Sequence, residues 1–230
     1  MSAPTEAADE ADDAQDRRPE RKVDLTEQEL GSLEFHAPSL RDELLLRFGG
    51  RCGLRVSEIV GWERPDGQQV PGVRPADLGE RDVDGDLRYF LDVRGKDTRA
   101  DADGPKERTT WVPADTWKTA RRFINREGLG ADDPLIQSQK GGALARQSAR
   151  RVVKQVAREA YKATGREKFL DVSSHDLRRF WASYLLQKQD VNPSVMMKLG
   201  GWERFESIQP YLRDPRPGVI ADEMVSAEWA

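Results

Sequence analysis

Two arginines, a histidine, a tryptophan and a tyrosine follow one another in an order and spacing from which phosphate chemistry can be built. The segment SHDLRRFWASYLLQKQDVNPSVMMKLGGWERFESIQPY, residues 174–211, opens with His175 and Arg178 in an HxLRR pattern and closes on Tyr211, nine residues after Trp202. Upstream, GLRVSE places Arg55 and Glu58 at i and i+3, near enough on a helix for the carboxylate to orient the guanidinium. Guanidiniums grip oxyanions in a fork, a tyrosine hydroxyl can act as a nucleophile, and imidazole moves protons near neutral pH. A single HxxR on a helix usually marks a solvated polar face. It is the ordered set that points to chemistry.

The elements that must position these residues are legible around them. Ser173 or Ser174 can cap a helix whose apolar residues Leu177, Phe180, Trp181, Tyr184 and Leu185 recur at helical spacing and form one buried stripe. At roughly 100° per residue, that stripe centres about 200° from His175, with Arg178 about 60° from His175 on the other side. The two are therefore expected to share a non-core face near the helix N-terminus, where anions are favoured. Asn192 and Pro193 restart a short helix that Gly200 and Gly201 stop, and Trp202 follows at once. Pro210, directly before Tyr211, fits only if a last helical turn begins near Ser207.

GLRVSE, HDLRRF, the Gly-Gly-Trp turn and the terminal tyrosine together resemble the catalytic domain of the tyrosine recombinases, the phage integrase and Xer-like family. The resemblance runs from about Asp24 to Arg213. It implies that Arg55, Lys96, His175, Arg178, Trp202 and Tyr211 hold the family's six catalytic positions, with Glu58 supporting Arg55. Many members have histidine where Trp202 stands; an indole N–H still donates one hydrogen bond but exchanges no proton at neutral pH. The implied fold is α+β and mainly α, with a small antiparallel sheet of two or three strands. The implied reaction is DNA cleavage and rejoining through a 3′-phosphotyrosyl link, which conserves the phosphodiester energy and needs no metal or nucleotide cofactor. The implied partners are double-stranded DNA and further copies of the chain, as a dimer or tetramer on that DNA.

The resemblance also implies a domain plan: an acidic tail over residues 1–22, the catalytic domain over 23–213, and a C-terminal tail over 214–230 that a neighbouring protomer could exchange. Xer and phage enzymes usually place a helical DNA-clamping domain ahead of the catalytic one. Here that place is taken by about 22 residues that read as disordered. A minimal enzyme gripping DNA through one domain, an accessory DNA-binding factor, or a segment further upstream would each complete the clamp. A type IB topoisomerase, which uses similar residues to relax supercoils, and a non-catalytic DNA-binding regulator are the alternative readings.

Composition sets the outer limits. The formal net charge of -4 comes from the first 24 residues, which hold eight acids and four bases, so the rest of the chain is neutral. DNA binding then requires basic residues gathered on one surface. The N-terminal stretch is rich in Ala, Asp and Glu and poor in aromatics, too polar to offset its ordering entropy. One cysteine, Cys52, excludes an internal disulfide framework, and with only His36 and His175 a structural zinc cluster is not expected. There is no apolar run approaching the ~20 residues of a membrane span and no signal-peptide pattern at the N-terminus, so a cytoplasmic protein is expected.

Taken in order, Thr26 caps a short helix with Leu30 and Leu33 inward. Pro38 and Ser39 start the next, with Leu40, Leu44, Leu45 and Phe48 as its core stripe, and Arg55 opens a third with Val56, Ile59 and Val60 buried. Residues 61–86 read as turn-rich, and residues 65–75 as a surface loop. LRYFLDV and RTTWVP read as strands, and the hairpin between them carries Lys96 in a Gly-Lys pair, with Lys106 as its competitor for the role of general acid. Asp115 is expected to cap the helix TWKTARRFI. A long helix over ALARQSARRVVKQVAREAYKAT presents Arg146, Arg150, Arg151, Lys154 and Arg158 opposite its apolar side, a stripe suited to phosphate contact.

Overall fold

The computed structural model describes residues 22–64, 66–95, 106–212 and 224–225. Seven helices and two small antiparallel sheets are found among them. The helices are α1 (Glu27–Phe35), α2 (Leu40–Gly50), α3 (Val56–Val60), α4 (Ala114–Glu127), α5 (Arg146–Thr164), α6 (Ser174–Gln187) and α7 (Pro193–Gly200). Strands β1 (Trp62–Glu63) and β2 (Gln69–Val70) make a minimal hairpin; β3 (Leu78–Val83), β4 (Asp86–Gly95) and β5 (Lys106–Trp111) form the larger sheet in that order. Short 3₁₀ turns at Pro75–Asp77, Glu167–Asp171, Phe205–Ser207 and Gln209–Tyr211 complete the set.

The main core lies where α2 crosses α6 and α4, and it contains Leu44, Leu45, Phe48, Leu54, Leu91, Val112, Phe123, Val153, Phe169 and Leu177. Packing begins at Val23, whose backbone N–H donates to Asp176 Oδ1 at 3.1 Å. Asp176 also closes a capping box with Ser173 at the start of α6 and accepts from Arg179 at 2.7 Å. One buried carboxylate thus fixes the N-terminal turn of the helix that carries His175 and Arg178. Thr26 with Glu29 and Ser39 cap α1 and α2 as expected.

Several expectations change. Strand β3 lies in the stretch read as turns: Leu78 alone is partly buried along it, so it has no alternation to read, and its pairing with β4 holds it as a solvated edge. Asp115 sits inside the first turn of α4, and the N-cap is Pro113, which supplies extended backbone but no side-chain cap. Of the predicted α6 stripe, Leu177, Phe180 and Trp181 are buried, but Tyr184 and Leu185 are only half-buried, and Ala182 and Leu186 replace them in the core.

A second, smaller cluster joins Trp181, Ala182, Leu186 and Met196 to Trp202, Tyr211 and Leu212. It meets the main core at Gly53, where φ is +71° and an added Cβ would stand 2.3 Å from the Trp181 ring. Only glycine fits both the backbone angle and the space. Replacing Gly53 with Ala is expected to cost about 3 kcal/mol through strain and overpacking, measured as a lowered urea midpoint at unchanged slope. A shift below experimental error would show that Trp181 is free to move aside.

Candidate active site

Glu58 is the centre of the site. Its side chain has no exposed surface. Because Arg55 is the residue just before α3 and Glu58 lies in the first turn, the carboxylate reaches back to the Arg55 backbone: N donates to Oε2 at 2.7 Å, and Arg55 Nη1 donates to Oε1 at 2.9 Å. From the other side Arg108 of β5 closes a fork, with Nη1 to Oε1 at 2.8 Å and Nη2 to Oε2 at 3.0 Å. Arg178 Nη1 lies 3.8 Å from Oε2. Burial alone would raise the pKa of Glu58, but the charge and fork of Arg108, followed by Arg178 and Arg55, outweigh it and hold the carboxyl below its ordinary 4.5.

Three guanidiniums around one carboxylate leave the site with surplus positive charge. Arg55 is the open member, with 37% of its side chain exposed, while Arg108 and Arg178 are nearly enclosed. Arg178 differs from the expectation of a solvated face shared with His175. Its Nη1 donates to the Gly53 carbonyl and its Nη2 to the Gly200 carbonyl at 2.7 Å, so two glycine turns replace solvent around it. Helical spacing correctly set Arg178 off the apolar stripe, but it could not show that α7 and the turn at Gly53 fold over that side. Burial first, then the charge of Arg55, pulls the Arg178 pKa below its ordinary value to about 9, against the opposing effect of Glu58. A buried cation held in this way is stabilised by any anion that arrives beside it.

Trp202 connects this charge cluster to the tyrosine. Arg178 Cζ sits 4.5 Å from the centre of the Trp202 ring, Trp181 stacks on the same indole at 5.9 Å, and the Tyr211 ring lies 5.9 Å beyond at a tilt of 41°. The indole lies flat on the helix end because residue 200 has no side chain; a Cβ there would stand 2.2 Å from it. Gly201, at φ +66°, then ends α7 in the left-handed conformation. Tyr211 is half-buried in a 3₁₀ turn opened by Gln209 and Pro210, and Gln187 Nε2 holds its carbonyl at 2.9 Å. His175 is exposed in the first turn of α6, three residues before Arg178.

The structure therefore brings Arg55, Glu58, Arg178, Trp202 and Tyr211 into one connected group; His175 stands exposed one helical turn before Arg178. Lys96 lies outside the described residues. Lys106 opens β5, paired with Gly95 across the hairpin. No sequence motif marks Arg108, although a signal is present: it alternates in register with Thr110 of β5 and with Val112 just past its end, both fully buried, and an arginine at such a position requires a buried partner. On α5, Arg146, Arg150 and Arg151 are exposed, whereas Lys154 is half-buried and its Nζ reaches the Leu170 carbonyl at 3.5 Å.

The family model of the phage integrase family matches residues 92–216, and the chain belongs to that family. Among individual relatives, the tyrosine recombinase XerD of Corynebacterium glutamicum is 28% identical over 176 residues, which cover 75% of this chain and 48% of that protein. The chain thus spans about half the length of the curated relative it matches. Solved structures share the fold: XerA recombinase at a TM-score of 0.63 and 16% identity, covering 91% of this chain and 66% of that one, and the Tn1549 transposon integrase in complex with transposon right end DNA at 0.60 and 18%, covering 94% and 69%. The architecture is that of a tyrosine recombinase catalytic domain, α+β and mainly α. No helix among the described residues is long and apolar enough to cross a membrane.

Replacing Glu58 with Gln keeps the shape and removes the charge that balances Arg108 and Arg178. A loss of about 3–5 kcal/mol in urea denaturation at neutral pH is expected. Because the folded pKa of Glu58 is lowered, its contribution is complete above the ordinary 4.5 and is lost as pH falls through the folded value, so the deficit of the variant shrinks in acid. An equal deficit at both pH values would mean that packing, and not charge, is what the substitution removes.

Proposed function

We propose that the protein is a site-specific DNA recombinase or integrase that cleaves and rejoins DNA through a 3′-phosphotyrosyl intermediate. One observation carries the reading: Arg178, Trp202 and Tyr211 lie against one another in that order within a single chain, in the same cluster as the open guanidinium of Arg55. A phosphodiester entering that space has its non-bridging oxygens facing surplus positive charge and its phosphorus facing the tyrosine.

Tyr211 Oη attacks phosphorus and forms the P–O bond as the 5′-oxygen departs. Arg55 and Arg178 stabilise the charge of the pentavalent transition state, and Trp202 donates its indole N–H or buttresses the tyrosine. His175 assists the proton leaving Tyr211, and Lys96 protonates the departing 5′-oxygen. A 5′-hydroxyl from another strand reverses the step and rejoins the DNA, so no external energy source enters. Arg146, Arg150, Arg151 and Lys154 along α5 supply phosphate contacts that hold the duplex in register.

Recombination requires further copies of the chain on the same DNA. An open groove of about 1070 Å³ next to Tyr211, lined by Leu25, Phe180, Tyr184 and Gln187, offers a seat for residues 214–230 of a neighbouring copy. An accessory DNA-binding factor is compatible with the same scheme.

The test uses a nicked suicide duplex whose cleaved fragment diffuses away. Wild-type protein accumulates an SDS-resistant adduct, and the Tyr211→Phe variant forms none while binding the duplex within about threefold of wild type, since only the nucleophilic oxygen is lost. An adduct that persists in Tyr211→Phe would remove Tyr211 from the role. Absence of adduct from wild type on any cleavable duplex would favour a DNA-binding protein without chemistry.

A further inference from the structure

The paired strands β4 and β5 are each clamped by an arginine on a buried carboxylate. On β4, Arg94 forks onto Asp77, with Nη1 to Oδ2 at 2.9 Å and Nη2 on Oδ1. On β5, Arg108 forks onto Glu58 and in addition donates Nε to the Leu199 carbonyl at 2.8 Å. Only the second clamp reaches the active site. Its guanidinium bonds at once to the carboxylate that holds Arg55 and Arg178 and to the last turn of α7, from which the Gly200 carbonyl holds Arg178 and Trp202 departs.

All three guanidinium nitrogens of Arg108 are already bonded within the protein itself. Its side chain is 7% exposed, and a Cβ added at Gly201 would stand 2.9 Å from its Cδ.

We propose that Arg108 is a positioning residue for the cleavage reaction. Through Glu58 and Leu199 it fixes the relative placement of Arg55, Arg178 and Trp202, and ties that group to strand β5. This inference rests on the functional reading above. A lysine at the position keeps one positive charge near Glu58 but has neither the fork nor the Nε donor, so the charge balance survives while the geometry is lost.

Arg108→Lys is therefore the informative variant, since Arg108→Ala leaves a buried carboxylate partly uncompensated and endangers folding. Two substrates are compared under saturating, single-turnover conditions: an ordinary duplex, and one whose scissile phosphate carries a methyl group in place of a non-bridging oxygen and so has no charge for the arginines to neutralise. Arg108→Lys is expected to cleave the ordinary duplex about 10²-fold more slowly, the scale of a misplaced catalytic group, with DNA affinity within about threefold of wild type. On the neutral substrate the gap between variant and wild type should shrink to less than about tenfold, because misplaced guanidiniums then matter less.

An equal loss on both substrates would mark Arg108 as a general structural residue and overturn the proposal. A wild-type cleavage rate would do so too, as would weakened DNA binding with unchanged cleavage of the bound complex, which would make Arg108 a DNA contact. If wild-type protein forms no adduct, the functional reading fails and this inference with it; if wild type cleaves and Arg108→Lys matches it, only the inference fails.

Discussion

Removing a carboxylate from water costs several kcal/mol unless charge and hydrogen bonds replace the lost solvation. Glu58, without any exposed side-chain surface, is compensated by donors from two arginines and a backbone amide, with a third guanidinium close by. This requirement fixes more than the carboxylate. Arg55 has to stand at the head of α3, β5 has to bring Arg108 across to it, and Arg178 has to come within reach from α6. Three separate parts of the chain are thereby held around one point. The compensation also overshoots, and the surplus positive charge makes the pocket a place for an anion.

The apolar contacts carry that arrangement to the nucleophile. Trp202 touches the charge cluster through Arg178 on one side and Tyr211 on the other, while Trp181 packs the indole into the smaller core. Glycines permit each approach: Gly53 accepts the Trp181 ring and gives its carbonyl to Arg178, and Gly200 accepts the Trp202 ring and does the same. The charge cluster and the core packing therefore share the same few turns. A disturbance in the small core would be felt at Tyr211.

The sequence made local features readable and left the long-range ones hidden. Thr26, Ser39, Ser173 and Asn192 start their helices as their side-chain chemistry suggests, and the Arg55–Glu58 pairing follows from a spacing of three residues. The burial of Arg178 depends on carbonyls 125 and 22 residues away in the chain. The Arg108 fork depends on a partner 50 residues away. No local pattern encodes such distances, although an arginine in register with buried Thr110 and Val112 was a visible anomaly. Strand β3 escaped for a different reason: an edge strand with both faces wet has no hydrophobic period to announce it.

We propose that the surplus charge gathered around Glu58 forms one anion site together with Tyr211. The most direct measurement is a structure of the protein on a duplex interrupted at the cleavage position, with vanadate supplied there as a mimic of pentavalent phosphorus. The expected result is vanadium bonded to Tyr211 Oη, its equatorial oxygens held by Arg55 and Arg178, and Glu58 still buried beneath them. Vanadate bound elsewhere on the protein, or bound at Tyr211 with neither arginine on its oxygens, would contradict it.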